Sequence, residues 1–356
     1  CKENKVEMEN IYKQRVISPD ASLLEAFKRM DILDKKLLIV EDSNQFIGLL
    51  SAGDIQRAII NNIPLNSKVK EVLRKEIRIA SPIDEFEKIK QMMLDFRMEL
   101  CPVVDNNRRI VKVYFWEDVF SEKQKVPINQ FSLPVVIMAG GVGSRLKPLT
   151  NVLPKPLIPI SEKTMLEEIF DRFARHGCKK FYISVNYKAE LIEYYIQQQK
   201  LPFEIDFFKE DKPMGTAGSL SLLKSKIKET FFVSNCDIII EEDYSQILDY
   251  HKNNKNEITL VAALKSMPIA YGTIETAENG RLIKLVEKPE LTFKINSGMY
   301  ILEPHLIDEI PNEENFHITN LIEKVLARRG TVGVYPVSEK SWNDVGDWSL
   351  YRQYLK

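Results

Sequence analysis

The sequence predicts an α/β protein of two domains, the larger C-terminal one built on a mixed, mostly parallel sheet. Three observations carry this. Val135, Val136, Ile137 and Met138 form an apolar run without alternation, as in a strand covered on both faces, and the chain then turns on Gly140, Gly141 and Gly143. From there onward helical faces and strand segments alternate, the pattern of right-handed crossovers in a parallel sheet. Residues 11–120 instead repeat one small unit twice.

The totals agree with two domains. At 356 residues and 44% hydrophobic composition, each half can bury its own core. The formal net charge is -1 and the basic residues are dispersed, which gives no electrostatic footprint for nucleic acid or a membrane surface. No apolar run approaches the roughly 20 residues of a membrane helix. Cys1, Cys101, Cys178 and Cys236 stand far apart without a C-x-x-C pair, so reduced thiols and a cytoplasmic location are expected. The chain opens on Cys1 instead of Met, which reads as a trimmed or re-engineered terminus, with lipid attachment as the alternative.

In the first domain, residues 1–124, Ser18-Pro-Asp opens a segment whose Leu23, Phe27 and Met30 share a helical face, and Ser81-Pro-Ile-Asp opens its counterpart with Phe86, Ile89 and Met93. Each helix leads to a strand, a polar turn and a second strand. Setting Ile39-Val40 on Val103-Val104 also sets Phe46-Ile47 on Ile110-Val111 and Asp54 on Asp118. Neither copy has enough apolar surface alone, so the pair is expected to pack as one module. The stretch Gly48-Leu-Leu-Ser-Ala-Gly-Asp54-Ile resembles the close of a CBS motif, and the tandem resembles a Bateman module. That resemblance implies an adenine-nucleotide effector, met by Ser51, Asp54 and Asp118, and self-association into a homo-oligomer. In the second copy Phe115 stands where the hydroxyl would be. Ser51 and Asp54 have a second reading, as the N-cap of the helix that follows.

Residues 125–132 are polar, carry a proline and lack periodicity, and read as the linker. The second domain, 133–356, opens on the glycine turn. Gly140, Gly141 and Gly143 let main-chain N–H groups converge on an anion, and Arg145 and Lys155 add two cations, the second framed by Pro154 and Pro156. Position 146 is Leu, so the third glycine of a dinucleotide fingerprint is missing, and no Gly-Lys-Ser/Thr follows. The stretch reads as a triphosphate cradle.

After it, Met165, Ile169 and Phe173 predict a helix, Lys180–Val185 a strand, Leu191, Tyr194 and Tyr195 a second helical face, and Phe203–Phe208 a further strand. Pro213-Met-Gly-Thr-Ala-Gly-Ser219 then begins a helical Leu220, Leu223, Ile227 pattern with its N–H groups open to a flat base or an anion. Thr230-Phe-Phe-Val-Ser-Asn-Cys-Asp237 is a buried strand ending in a carboxylate, a hard oxygen ligand of the kind Mg²⁺ takes. Glu287 and Lys288 offer an acceptor for hydroxyls and a cation for a phosphate. His176, His251, His305 and His317 have no spaced nucleophile or carboxylate partner and read as surface or helix residues, so a hydrolase triad finds no support.

Gly140-Gly-Val-Gly-Ser-Arg-Leu-Lys-Pro-Leu-Thr150, followed by Leu153-Pro-Lys-Pro-Leu157, resembles the signature of the sugar-1-phosphate nucleotidyltransferases. The resemblance covers nearly all of residues 133–350 and implies a Rossmann-like domain that joins a nucleoside triphosphate to a sugar 1-phosphate. It places Ala139, Gly140, Gly141, Gly143, Ser144, Gly215, Thr216 and Ala217 on the nucleotide, and Arg145 and Lys155 in catalysis. Mg²⁺ would sit on Asp237 and Asp344, with Asp347 as the competing second ligand. Tyr271, Gly272, Glu287, Lys288 and Asn296 would meet the sugar. Cys236 departs from the family's usual Asn-Gly-Asp.

Gly-Thr-Ala-Gly resembles guanylyltransferases, and hence GTP, and some uridylyltransferases, more than the thymidylyl enzymes. The whole chain most resembles the guanylyltransferases that make GDP-glucosamine-type sugars for legionaminic acid. Mannose-1-phosphate guanylyltransferases and uridylyl or thymidylyl enzymes are the alternatives. A nucleotide sensor with an inactive transferase half is the alternative of another class.

Overall fold

The computed structural model describes residues 12–120, 128–312 and 314–352. The chain divides between Pro127 and Ile128 into two compact units. Cys1 and residues 125–127 of the expected linker lie outside the described residues.

In the first unit, β1 (Val16–Ile17) runs parallel to β2 (Leu37–Asp42), which pairs antiparallel with β3 (Gln45–Ser51). Helix α1 (Leu23–Leu33) starts at Ser22, whose Oγ accepts from the Glu25 N–H at 3.1 Å, and stops where Asp34 turns left-handed. Its buried face carries Leu23, Ala26, Phe27 and Met30. Helix α2 (Ala52–Ile60) follows β3 directly.

The second copy repeats the plan with α3 (Phe86–Phe96) and a hairpin of β4 (Leu100–Val104) and β5 (Ile110–Phe115), followed by the four-residue α4 (Trp116–Val119). Ala80 bridges Val103 in parallel, as Val16 pairs with Ile39 in the first copy. Ile39 and Phe46 share one core cluster with Leu100, Val104, Val113 and Phe115. The two copies therefore bury their apolar surface in common, which neither could do alone.

The reading of Ser51 and Asp54 as a cap matches their contacts. The Ser51 Oγ accepts from the Asp54 N–H at 3.2 Å, and Asp54 Oδ2 accepts from the Ser51 N–H at 2.8 Å. Arg57 and Arg74 both donate to Asp54 Oδ1, the latter at 2.6 Å. Burial alone would raise the Asp54 pKa, yet the bonds from Ser51 and Arg74 hold it below the ordinary carboxylate range. Asp118 is exposed on α4.

The second unit is a seven-stranded sheet in the order β10-β9-β6-β11-β16-β13-β17. Its strands are β6 (Val135–Met138), β9 (Lys180–Val185), β10 (Glu204–Lys209), β11 (Phe231–Asn235), β13 (Ile258–Pro268), β16 (Glu290–Leu302) and β17 (Val332–Ser338). All neighbours pair in parallel except that β16 runs antiparallel to β11 and β13. A small hairpin of β7 (Pro159–Ile160) and β8 (Lys163–Thr164) leads into helix α5 (Met165–Arg175). Thr164 and Glu167 form a capping box there.

Two more ladders complete the unit. One joins β12 (Ile238–Ile240) to β18 (Trp342–Asp344), the other β14 (Thr273–Thr276) to β15 (Leu282–Val286). The remaining helices are α6 (Ala189–Gln198), α7 (Tyr244–Asn253), α8 (Ile318–Ala327) and the short α9 (Trp348–Tyr351). Val136, Phe231, Val233, Tyr300 and Leu302 of the sheet share a core cluster with Leu220, Leu223, Ile318 and Leu321. Among the described residues no helix is long and apolar enough to cross a membrane.

Four expectations differ from what is observed. Helix α6 buries Ala189, Ile192 and Ile196, while Leu191 and Tyr194 face solvent. The segment after Gly215 is a 3-10 helix, Gly218–Leu223. Gln130 and Phe131, expected in the linker, belong to the second unit: Gln130 donates to the Arg175 carbonyl at 2.9 Å, and the Phe131 N–H donates to the His176 carbonyl at 2.7 Å. His176, read as a surface or helix residue, is buried just past the end of α5, and His251 is a helix residue as read, buried within α7; burial lowers both pKa values below the ordinary histidine range. His176 stacks between Phe131 and Tyr244.

Candidate active site

The charged residues collect at the carboxyl ends of the parallel strands. Gly140 follows β6, Glu210 follows β10 and Asp237 lies just past β11, the place where open α/β sheets bind ligands. Asp344 reaches them by a separate route. It pairs with Ile238 across the β12–β18 ladder, and the Val345 N–H donates to the Asp237 carbonyl at 3.0 Å. The two carboxylates are thus brought side by side by backbone pairing alone.

Two cations face the carboxylates. Arg145, on the 3-10 helix Ser144–Leu146, sets Nη1 at 3.4 Å from Asp344 Oδ2 and Nη2 at 3.4 Å from Asp237 Oδ2. Its side chain is half-exposed and can turn toward a ligand. Lys155, on the 3-10 helix Lys155–Leu157 between its two prolines, is buried and donates from Nζ to Asp237 Oδ2. Gly346 seals the cluster: its N–H donates to Asp344 Oδ1 at 3.0 Å, and a Cβ there would press on Lys155 Nζ, Asp237 Oδ2 and Asp344 Oδ1.

The glycine loop is held from outside. Gly143 is left-handed at φ +67°, and a Cβ on it would meet Thr150 Cγ2 at 2.8 Å. Thr150 Oγ1 donates to the Gly143 carbonyl at 3.0 Å, Tyr187 OH donates to the Thr150 carbonyl at 3.2 Å, and Lys188 Nζ donates to the carbonyls of Asn151 and Val152 at 2.6 and 2.7 Å.

Two adjoining cavities use these groups. One, of about 330 Å³, is lined by Gly140, Gly141, Gly143, Lys155, Glu210 and Gly215 among others. The second, of about 310 Å³, is lined by Asn296, Tyr300, His317, Thr319, Trp342 and Asp344 among others. Arg145, Thr216, Asn235 and Asp237 line both.

Of the residues expected on the nucleotide, Ala139 and Ala217 are buried, and neither they nor Ser144 line either of these two cavities. The turn before the 3-10 helix does not leave its N–H groups free, because those of Ala217 and Gly218 both donate to the Phe316 carbonyl, at 3.0 and 2.9 Å. Thr216 Oγ1 accepts from the first N–H of α8, that of Ile318, at 3.0 Å. On the sugar side Asn296 lines the second cavity and donates to Tyr300 OH at 2.8 Å. Tyr271, Gly272, Glu287 and Lys288 flank the β14–β15 hairpin and line neither cavity. Asp347 is likewise outside both linings.

Sequence reasoning missed Glu210 and His317. Glu210 is buried at the end of β10, with Ser184 Oγ donating to Oε1 and the Met214 N–H donating to Oε2 at 3.2 Å. Its position one residue past a parallel strand was the available signal. His317 stands just before α8 at the wall of the second cavity. Cys236 lines the first cavity, and burial with Asp237 alongside pushes its thiol up to about 12.

The oxygen-only donor set of Asp237, which lines both cavities, and Asp344, which lines the second, fits Mg²⁺, which takes one or two carboxylates and completes its shell with phosphate and water.

A glycine cradle, two cations and a carboxylate pair at strand ends define a nucleotide-handling α/β domain. The nucleotidyl transferase family model matches residues 134–356, and the chain belongs to that family. A CBS domain model matches residues 11–61. The chain is 36% identical over 182 residues to the mannose-1-phosphate guanylyltransferase catalytic subunit beta of Drosophila melanogaster, covering 49% of each chain. It is 31% identical over 216 residues to the mannose-1-phosphate guanylyltransferase of Mycobacterium tuberculosis, covering 59% of this chain and 60% of that one. It thus spans about half the length of the curated relatives it matches. A Bacillus anthracis structure assigned as a glucose-1-phosphate thymidylyltransferase superposes with a TM-score of 0.50 at 20% identity, over 63% of this chain and 94% of that one, and has the same fold.

Proposed function

We propose that the chain is a sugar-1-phosphate guanylyltransferase, converting GTP and a sugar 1-phosphate into a GDP-sugar and pyrophosphate. The observation that carries this is the pair of cavities meeting at Arg145 and Asp237. The first takes the nucleotide, with its phosphates on the glycine loop. Glu210, a carboxylate acceptor in that cavity, supports guanine, whose N1–H and N2–H groups are donors. The second cavity takes the sugar phosphate, with Asn296, His317 and Trp342 at its walls.

The nucleophile is already an anion, so no general base is needed. A phosphate oxygen of the sugar phosphate bonds to the α-phosphorus as the bond from that phosphorus to the pyrophosphate oxygen breaks, and pyrophosphate leaves with the electron pair. Arg145 turns from its carboxylates to the α-phosphate, and Lys155 holds Asp237 in place. Mg²⁺ on Asp237 and Asp344 would supply charge neutralisation on the phosphates. Position and charge do the rest.

Within this reading the sequence favours glucosamine 1-phosphate as the acceptor. The curated relatives support mannose 1-phosphate as the second reading. The capping box supports a structural role for Ser51 and Asp54, so an adenine-nucleotide effector is not part of the proposal. The test is pyrophosphate release by the purified chain with Mg²⁺, each of GTP, UTP, dTTP, CTP and ATP, and each of glucosamine, mannose and glucose 1-phosphates. Release with GTP above the other nucleotides is expected. No release with any pair overturns the proposal.

A further inference from the structure

Each charge of the site is followed within three residues by a buried apolar side chain: Leu146 after Arg145, Ile158 after Lys155, Ile239 after Asp237 and Val345 after Asp344. These four share one apolar cluster. The short helix α9 closes it, with Tyr351 inside the cluster and Trp348 packed against it. The two rings meet edge to face, their centroids 5.9 Å apart.

A four-residue helix cannot hold itself together in water, so these side-chain contacts fix its place. Each ring also carries one polar tip, and apolar packing leaves the direction of that tip open. The Trp348 indole N–H donates to the Lys147 carbonyl at 2.7 Å, two residues beyond Arg145. The Tyr351 hydroxyl donates to the Pro159 carbonyl at 3.0 Å, four residues beyond Lys155. Both cation-bearing segments are thus tied to the same pair of rings.

We propose that Trp348 and Tyr351 are positioning residues of the phosphate cradle, fixing the separation of Arg145 and Lys155 across which the triphosphate lies. The inference deepens the guanylyltransferase reading and rests on its cradle. Neither residue lines either cavity, so both act through the segments they hold. Arg145 depends on this more than Lys155 does. Lys155 is buried and paired with Asp237, whereas Arg145 is half-exposed and 3.4 Å from each of its carboxylates, so the turn beneath it decides where its guanidinium can reach. Thr150 and Lys188 hold the loop at Gly143 and at Asn151 and Val152, and the Trp348 bond holds it between them.

The test is binding of inorganic tripolyphosphate to the full chain, by calorimetry with Mg²⁺ present and titration into the millimolar range. Trp348→Phe keeps an aromatic ring and deletes the N–H donor. It is expected to keep the wild-type circular dichroism spectrum and to raise Kd about 10-fold, as a displaced cation would. In an Arg145→Ala background the same substitution is expected to change Kd less than about two-fold, because Trp348 acts through Arg145. A purely structural role would give the same loss in both backgrounds. Should Trp348→Phe fail to fold, Tyr351→Phe, which loses only a hydroxyl, is expected to raise Kd to a similar extent. The proposal is overturned by a wild type that does not bind tripolyphosphate, by a folded variant that binds it as the wild type does, or by equal losses from Trp348→Phe with and without Arg145. Absent turnover with every substrate pair is a separate result, which strikes the guanylyltransferase reading while the binding measurement still decides the role of Trp348 and Tyr351.

Discussion

The Val345 N–H donates to the carbonyl of Asp237 at 3.0 Å, and this contact sets the second carboxylate of the site beside the first. It extends the pairing of Ile238 with Asp344, so the spacing of the two acids is a property of backbone geometry. The side chains are then held by Arg145 and Lys155, which differ in burial and should differ in what their loss costs.

Arg145 is half-exposed, so Arg145→Ala is expected to leave the thermal midpoint close to wild type while kcat for pyrophosphate release falls about 100-fold or more, the usual loss for one charge-stabilising donor. Lys155→Met is expected to cost roughly 3 kcal/mol of stability as well, because it takes the buried cation from the buried Asp237 and leaves it only the half-exposed Arg145 at 3.4 Å. Urea unfolding of both variants beside steady-state rates separates the two effects.

Glu210→Gln removes one acceptor from the nucleotide cavity and puts a donor there. With GTP as substrate, kcat/KM is expected to fall about 100-fold, as a site loses discrimination when a buried polar contact goes unpaired. Inosine triphosphate lacks the N2 amino group and should lose less from the same substitution. Equal losses for both nucleotides would place Glu210 in the scaffold alone.

Lys188 acts on the glycine loop from behind, through the carbonyls of Asn151 and Val152. Lys188→Met is expected to raise KM for GTP about 10-fold with kcat little changed, since it loosens the loop without touching the reacting atoms. A fall in kcat at constant KM would contradict that role.

Glu257 is tied to Arg328, with Arg328 Nη1 donating to Oε1 at 3.0 Å, and His305 Nε2 stands 2.8 Å from Oε2. Chiefly through Arg328, its pKa is drawn from 4.5 down to about 2. A depressed folded-state pKa means this contribution is complete above about pH 4.5 and is lost as pH falls toward 2. Glu257→Gln should therefore flatten the acid limb of stability in that window and leave the profile above it unchanged in slope.

What the sequence made legible was local and contiguous. The cradle from Gly140 to Lys155 announces itself because the glycines, the arginine and the Pro-Lys-Pro frame act within a few residues of one another. Asp237 was legible as the end of an apolar strand. Glu210 was not, because a single acid after Phe207-Phe208-Lys209 has the same appearance as a surface residue until the neighbouring strands surround it.

The partner of the small-residue turn was hidden for a related reason: the Phe316 carbonyl that takes the Ala217 and Gly218 N–H groups comes from a distant part of the chain. In α6, Leu191, Tyr194 and Tyr195 form a helical pattern as good as Ala189, Ile192 and Ile196, and only the packing surface decides between them. The group Tyr271, Gly272, Glu287 and Lys288 was readable as a motif, but its place on an outlying hairpin was not.

The β12–β18 ladder also orders events in time. A chain growing from its N-terminus has already made Gly140–Gly143, Arg145, Lys155 and Asp237 when β17 emerges, but not yet Asp344. Until Val345 docks on Asp237, the loop and its two cations stand beside half of the carboxylate pair. The last strand of the ladder is therefore the step that completes the proposed metal site.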